Sequence, residues 1–138
     1  MAATQKLEWS DNFSVNVKEL DEQHKGLVTI INNLLDYIGN KPEEKEVLSV
    51  INKIAEYKKK HFETEEMYFD KFNYEGKEEH KKSHKEFNEE LTQLLLVHKD
   101  DYLTLAFALI DFLEDWLVDH LQNMDKKYVE CFNSHGLY

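Results

Sequence analysis

The sequence predicts an all-α protein, folded as an antiparallel, up-down-up-down four-helix bundle. Among its 138 residues only 4 are glycine and 1 is proline, and so few chain breakers favour long helices over a fold with many turns. Hydrophobic residues make up 41% of the chain and charged residues 33%, which is typical of amphipathic helices around one core. Four amphipathic stretches follow one another through short connections, and short connections make neighbouring helices antiparallel.

The chain is expected to form one domain over residues 1–138, with no linker or low-complexity segment. Residues 1–20 are predicted to be an irregular N-terminal arm, and residues 21–132 the helical bundle and its tail. The arm carries apolar side chains at alternate positions, namely Phe13, Val15 and Val17. This alternation indicates a short extended segment packed across the bundle.

Caps and apolar stripes mark the first two helices. Asp21 is a good N-cap for the first helix, Gly39 ends it, and Pro42 stands where the second helix can begin. The first stripe consists of Leu27, Val28, Ile31, Leu35 and Ile38. The second stripe consists of Val47, Val50, Ile54 and Tyr57. The second helix is predicted to run to about Phe72, and a turn signal follows at residues 73–76.

The third and fourth helices show the same periodicity. The third stripe consists of Phe87, Leu91 and Leu94, and the fourth of Ile110, Leu113 and Leu117. Residues 99–101 form the short connection, and the fourth helix is predicted to pass through Met124. A short tail helix over residues 126–132 is predicted to follow and to end before Gly136.

Each apolar stripe runs into residues of the kind that bind metals. These residues are His24 on the first stripe, His61 and Glu65 on the second, His80 and His84 on the third, and His120 on the fourth. Residues four apart share one face of a helix, so the two pairs within single helices are natural pairs of ligands. All six positions also fall at the same end of an up-down bundle, at the starts of helices one and three and the ends of helices two and four.

A single histidine on an apolar face is usually a hydrogen-bonded core residue. Here five histidines and a glutamate lie on the core stripes, and burying them all without a metal leaves unpaired polar groups at about 1–3 kcal/mol each. The ligand atoms are nitrogen and oxygen, whereas a structural zinc site prefers four ligands and often uses cysteine. Di-iron carboxylate enzymes use paired Glu-x-x-His motifs and more carboxylates. The imidazole-rich set is therefore expected to favour a reduced metal pair and reversible binding.

Several short segments match the pattern of a known family. They are the arm with Trp9, residues 21–25 (DEQHK), 61–66 (HFETEE), 80–84 (HKKSH) and 116–120 (WLVDH), and Asp125. With them the chain resembles the hemerythrin family, specifically its bacterial single-domain members, over nearly its whole length. The resemblance adds Asp125, which helical periodicity does not predict. Five residues after His120 is about 140° around an ideal helix, so Asp125 reaches the site only where the helix is locally unwound or bulged.

The resemblance implies a role for each of seven metal ligands. His24 and His61 hold the iron that keeps an open position, His80, His84 and His120 hold the coordinatively full iron, and Glu65 and Asp125 bridge the two. Two six-coordinate irons offer roughly twelve positions, and these residues with one bridging oxygen leave one vacancy. The expected cofactor is two iron ions (Fe2+/Fe3+) with a bridging oxo or hydroxo group, and dioxygen is the expected ligand.

The expected function is reversible dioxygen binding, in transport, storage or delivery, and not enzymatic catalysis. Three alternatives use the same residues: an oxygen or redox sensor, a di-iron enzyme with ferroxidase, peroxidase or nitric-oxide chemistry, and a metal store. The sequence has no pattern that indicates an oligomeric state or a protein recipient of the oxygen.

The net charge of -11 bears on partners and location. With 28 acidic against 17 basic residues, the surface repels phosphate backbones and anionic membranes, so neither nucleic acid nor a membrane is an expected partner. The first residues lack the apolar core of a signal peptide, and no apolar run is long enough to span a bilayer. Cys131 is the only cysteine, which fits a reducing compartment. A cytoplasmic protein is expected.

Overall fold

Four long helices form an antiparallel bundle in the computed structural model, which describes residues 7–39 and 43–138. They are α1 (Lys18–Gly39), α2 (Glu44–Lys71), α3 (Lys77–Val97) and α4 (Tyr102–Trp116). The described ranges contain no strand, which confirms the predicted all-α class. The Tyr102 hydroxyl donates to Glu44 Oε1 at 2.8 Å, so α4 and α2 begin at the same end.

The core lies between the apolar stripes of these helices. Helices α1 and α3 each pack against α2 and α4, so the chain order is also the order around the bundle. Fully buried aliphatic side chains from three of the helices meet here, including Ile31, Ile54, Leu109 and Leu113. Their spacing of three or four residues places them on one face of each helix, which is how the sequence specifies this core.

The chain does not stop at the end of α4 but changes its helical geometry. Leu117–Met124 is a π-helix, Asp125–Tyr128 is a 3-10 turn, and Val129–Ser134 is a short helix, α5. The predicted local distortion before Asp125 and the predicted tail helix are both confirmed. No described helix is long and apolar enough to cross a membrane.

The start of the first helix differs from the prediction. Helix α1 begins at Lys18, and Asp21 lies inside its first turn instead of capping it. The Asp21 carboxylate accepts hydrogen bonds from the Ser14 hydroxyl at 2.7 Å and from the Val15 N–H at 2.8 Å. Asp21 therefore fixes the arm onto the helix, because its oxygens satisfy groups of the preceding segment. Pro42, the predicted start of the second helix, lies outside the described residues.

The arm is not the extended segment that its alternation predicted. It contains a 3-10 turn at Asp11–Phe13, and Asn16 has a φ of 55°, which breaks any extended run. Val15 and Val17 are nevertheless fully buried. They belong to a second apolar cluster, together with Leu20, Phe69, Tyr74, Tyr128 and Phe132. This cluster closes one end of the bundle.

Candidate metal centre

All seven residues predicted as metal ligands lie together at one end of the bundle, and none is more than 4% exposed. His24 comes from α1, His61 and Glu65 from α2, His80 and His84 from α3, His120 from the π-helix and Asp125 from the 3-10 turn. Each position continues an apolar stripe, so the packing that buries the core also buries these polar side chains. Seven polar groups enclosed in this way need partners.

The Asp125 carboxylate lies between two sets of histidines. Its Oδ1 atom is 2.9 Å from His120 Nε2 and 3.0 Å from His80 Nε2. Its Oδ2 atom is 3.1 Å from His24 Nε2 and 3.9 Å from His61 Nε2. One carboxylate thus faces both sets, one oxygen to each.

Glu65 also faces both sets, through a single oxygen. Its Oε1 atom is 3.0 Å from His84 Nε2, 3.3 Å from His61 Nε2 and 3.5 Å from His80 Nε2. The other oxygen, Oε2, is buried and has no hydrogen-bond partner among the described residues. The same holds for both oxygens of Asp125, whose close histidine contacts lack hydrogen-bond geometry. Buried carboxylate oxygens without donors fit a site for cations.

The ligand atoms divide into two overlapping groups, and the atoms of each lie within 4.8 Å of one another. One group consists of Glu65, His80, His84 and His120, and the other of His24, His61, Glu65 and Asp125. Glu65 belongs to both groups, and Asp125 reaches the histidines of the first through Oδ1. The donor set is therefore suited to two cations, with three imidazoles on one side and two on the other.

Further side chains orient the histidine rings from outside. The Nδ1–H of His61 donates to Gln23 Oε1 at 2.8 Å, and the amide of Gln23 donates to Thr64 Oγ1 at 3.1 Å. The Nδ1–H of His84 donates to Glu66 Oε2 at 2.7 Å. In a neutral ring these contacts leave the Nε2 lone pair facing inward, as a metal ligand requires.

Sequence reasoning missed these outer partners because they do not lie on the apolar stripes. Gln23, Glu66 and Ser83 each directly adjoin one of the predicted ligands, and that adjacency is the signal that was available. Ser83 Oγ lies 2.9 Å from His120 Nδ1, so His120 also has an outer partner, as His61 and His84 do.

Aromatic rings pack against the histidines on the core side. Phe62 stacks on His84 with ring centroids 3.9 Å apart, and Trp116 stacks on His120 at 3.8 Å. Tyr57 stacks on His61 at 5.3 Å. The buried hydroxyl of Tyr57 and the indole nitrogen of Trp116 have no hydrogen-bond partner within the described residues. These rings restrict the access of water to the site.

Charges within the site are balanced when no metal is bound. Burial lowers the pKa of His61, but the carboxylates of Glu65 and Asp125 outweigh burial and raise this pKa to about 9. Burial also lowers the pKa of His80, but the same two carboxylates raise this pKa to about 10. Burial raises the pKa of both carboxyl groups, whereas the histidines lower it more, so both pKa values lie well below the usual range. Without a metal, protonated imidazoles thus supply the positive charge that balances the two carboxylates.

Comparisons with known proteins agree with this geometry. The family model described as "Hemerythrin HHE cation binding domain" matches residues 15–132, which include all seven clustered residues.

Individual proteins of similar sequence cover most of the chain. A "Myohemerythrin" of Theromyzon tessulatum is 32% identical over 121 residues, which span 88% of this chain and 89% of the relative. A "Hemerythrin-like protein" of Naegleria gruberi is 31% identical over 120 residues, 87% of this chain and 88% of the relative. A "Bacteriohemerythrin" of Pseudomonas aeruginosa (strain LESB58) is 29% identical over 125 residues, 91% of this chain and 80% of the relative.

Proposed function

Because this chain belongs to the hemerythrin family, we propose that its seven clustered residues hold two iron ions and that the iron pair binds dioxygen reversibly. At the level of the family, the function is that of a non-haem di-iron protein that binds oxygen. The finer proposal is a role in oxygen transport, storage or delivery. The only cysteine, Cys131, supports a reducing compartment such as the cytoplasm.

The observation that carries the proposal is the position of Asp125 between unequal sets of histidines. Its two oxygens face different sets, which supports a bridging role between two ions. His80, His84 and His120 would fill the iron on their side, whereas His24 and His61 would leave a position free on the other iron. A single vacancy beside a bridged pair is suited to one small ligand.

The residues around the irons support binding more than turnover. When bound, the iron pair supplies the electrons that hold dioxygen. Neutral imidazoles dominate the donor set and are expected to favour the reduced state, unlike a set in which carboxylates predominate. The stacked rings of Phe62 and Trp116 help to bury His84 and His120, the ligands proposed for the coordinatively full iron.

Metal content and an oxygen-dependent spectrum test the proposal together. The purified, reduced protein should contain two irons per chain and develop a visible absorption band in oxygen that disappears when oxygen is removed. An oxygenated form that does not release oxygen would contradict reversible binding. Turnover of an added substrate would instead support the enzymatic alternative.

The variant His24→Ala tests which iron is open. It removes one of two histidines on the less occupied side, so we expect loss of one iron and of oxygen binding. His98→Ala is the matched control, because His98 is half-buried at the far end of α3. Two irons with intact oxygen binding in His24→Ala would refute the assignment of the open side.

A further inference from the structure

Several polar groups beside the proposed iron pair are buried without a hydrogen-bond partner in the described part of the chain. On the core side they include the hydroxyl of Tyr57 and the indole nitrogen of Trp116. The Tyr128 hydroxyl, next to His80, and His24 Nδ1 are also unpaired. Leaving such a group unpaired in the interior destabilises the folded protein. Since native structures pair almost all buried polar groups, the unpaired donors of Tyr57 and Trp116 indicate a missing acceptor near them.

Both groups belong to rings that stack on proposed ligands. The ring of Tyr57 is nearly parallel to that of His61, with an angle of 14° between the planes, and lies one helical turn before it. The ring of Trp116 lies at 12° to that of His120, also one turn away. Tyr57 therefore stands over the side with two histidines, where the vacancy is proposed.

Tyr57 and Trp116 together have two hydrogen-bond donors but only one acceptor, the phenol oxygen. An indole N–H only donates, whereas a phenol both donates and accepts. The indole N–H of Trp116 lies close to the phenol of Tyr57. A phenol keeps its proton at neutral pH, because its ordinary pKa is about 10. Even when Trp116 donates to the phenol oxygen, the Tyr57 O–H still lacks an acceptor.

Tyr57 also borders a groove that is open to solvent. A groove of about 460 Å³ lies between α1 and α2, and Tyr57, Gln23 and Gly26 are among its lining residues. Gly26 has no side chain, and apart from its chain neighbours and the backbone of its own helix no described atom lies within 4 Å of the place where its Cβ would be. Tyr57 thus contacts both this groove and the ring of His61.

We propose that the Tyr57 hydroxyl, positioned by the Trp116 N–H, donates a hydrogen bond to the small ligand on the His24 and His61 side and slows its release. This inference rests on the proposed di-iron function. The ligands concerned have an acceptor atom remote from the metal, as dioxygen and azide do. Tyr57 is the residue that contacts the ligand, and Trp116 is a positioning residue.

The variant Tyr57→Phe tests the hydrogen bond because it keeps the ring and removes the hydroxyl. In the iron-loaded protein we expect about tenfold faster dissociation of dioxygen and about tenfold weaker azide binding, as the loss of one ordinary hydrogen bond predicts. Tyr102→Phe is the control, since its hydroxyl bonds Glu44 at the opposite end of α2. Unchanged dissociation and azide affinity, with two irons retained, would overturn the proposal.

A measurement on the unaltered protein keeps the proposal testable if Tyr57→Phe loses iron. Azide binding should change the hydrogen-bond marker bands of tyrosine in the ultraviolet resonance Raman spectrum, because the Tyr57 O–H gains an acceptor. The change should persist in Tyr102→Phe. An unchanged tyrosine signal in protein that holds two irons and binds azide would overturn this inference alone. Absence of iron or oxygen binding in the unaltered protein would overturn the proposed function as well.

Discussion

The Asp125 carboxylate touches the His120 ring, with Oδ1 2.9 Å from Nε2, although the two residues are five positions apart. The backbone explains this contact, because the Asp125 N–H donates to the His120 carbonyl. A hydrogen bond from residue i+5 to residue i defines a π-helix, and it brings positions five apart onto one face. In an ideal α-helix these positions differ by about 140°. The wider turn at Leu117–Met124 thus carries Asp125 into the cluster.

Asp125→Asn should lower the iron content from two per chain to one or fewer. The amide keeps the shape of the side chain, but it loses the negative charge and offers one oxygen instead of two, so it bridges poorly. Metal analysis after reconstitution is the measurement. Asp119→Asn is the matched control, since Asp119 is exposed and directly precedes His120. A full complement of two irons in Asp125→Asn would contradict a bridging role.

Helical spacing alone predicted the location of most of this cluster but not of Asp125. His61 and Glu65 follow the stripe of α2 at intervals of four residues, and simple periodicity places them in the core. Asp125 depends on the π-helix, which costs local hydrogen-bond quality and is favoured by packing across the bundle, so periodicity does not reveal it. Only the family resemblance identified this residue. The predicted start of α1 at Asp21 was wrong, because the Asp21 carboxylate accepts hydrogen bonds from the arm and does not cap its own helix.

Glu66→Ala should weaken iron retention about tenfold, although Glu66 is not one of the proposed ligands. Its carboxylate accepts from His84 Nδ1–H at 2.7 Å, and such partners orient the imidazole and increase its basicity. The measurement is the rate of iron release to a strong chelator. Glu66→Gln keeps an acceptor oxygen and should retain more of the affinity.

Glu63→Ala provides the control for charge, because Glu63 is exposed on the same helix. If both alanine variants released iron at equal rates, the effect would come from surface charge and not from the contact with His84.

The metal-free protein should lose stability as the pH rises from about 6.5 to 10. The folded pKa values of His61 and His80, about 9 and about 10, exceed the ordinary value of 6.5. Their contribution is therefore complete below pH 6.5 and disappears as the pH passes through the folded values. Glu65 and Asp125 have lowered pKa values, so their contribution is present above their ordinary values and is lost in acid. Burial lowers the pKa of His120, so the contribution of His120 is lost as the pH falls below 6.5. Stability should therefore be greatest near pH 6.5.

Urea unfolding at pH 6 and pH 9.5 measures this difference. The iron-loaded protein is the control, since it has the same surface groups but holds the imidazoles neutral, and it should lose less stability at the higher pH. Equal losses in the two forms would show that groups outside the cluster cause the pH dependence.

Gly26→Ala should stabilise the protein by about 0.5–1 kcal/mol. Gly26 lies within α1, where glycine loses more backbone entropy on folding than alanine does. Apart from its chain neighbours and the backbone of α1 itself, a Cβ at this position meets no described atom within 4 Å, so no steric cost offsets the gain. The measurement is the free energy of unfolding of the iron-loaded protein. Gly136→Ala is the contrasting control, because Gly136 has a φ of +83° that alanine adopts only with strain, and it should destabilise the tail. A loss of stability in Gly26→Ala would mean that the α1 backbone needs glycine at this position for a reason other than space.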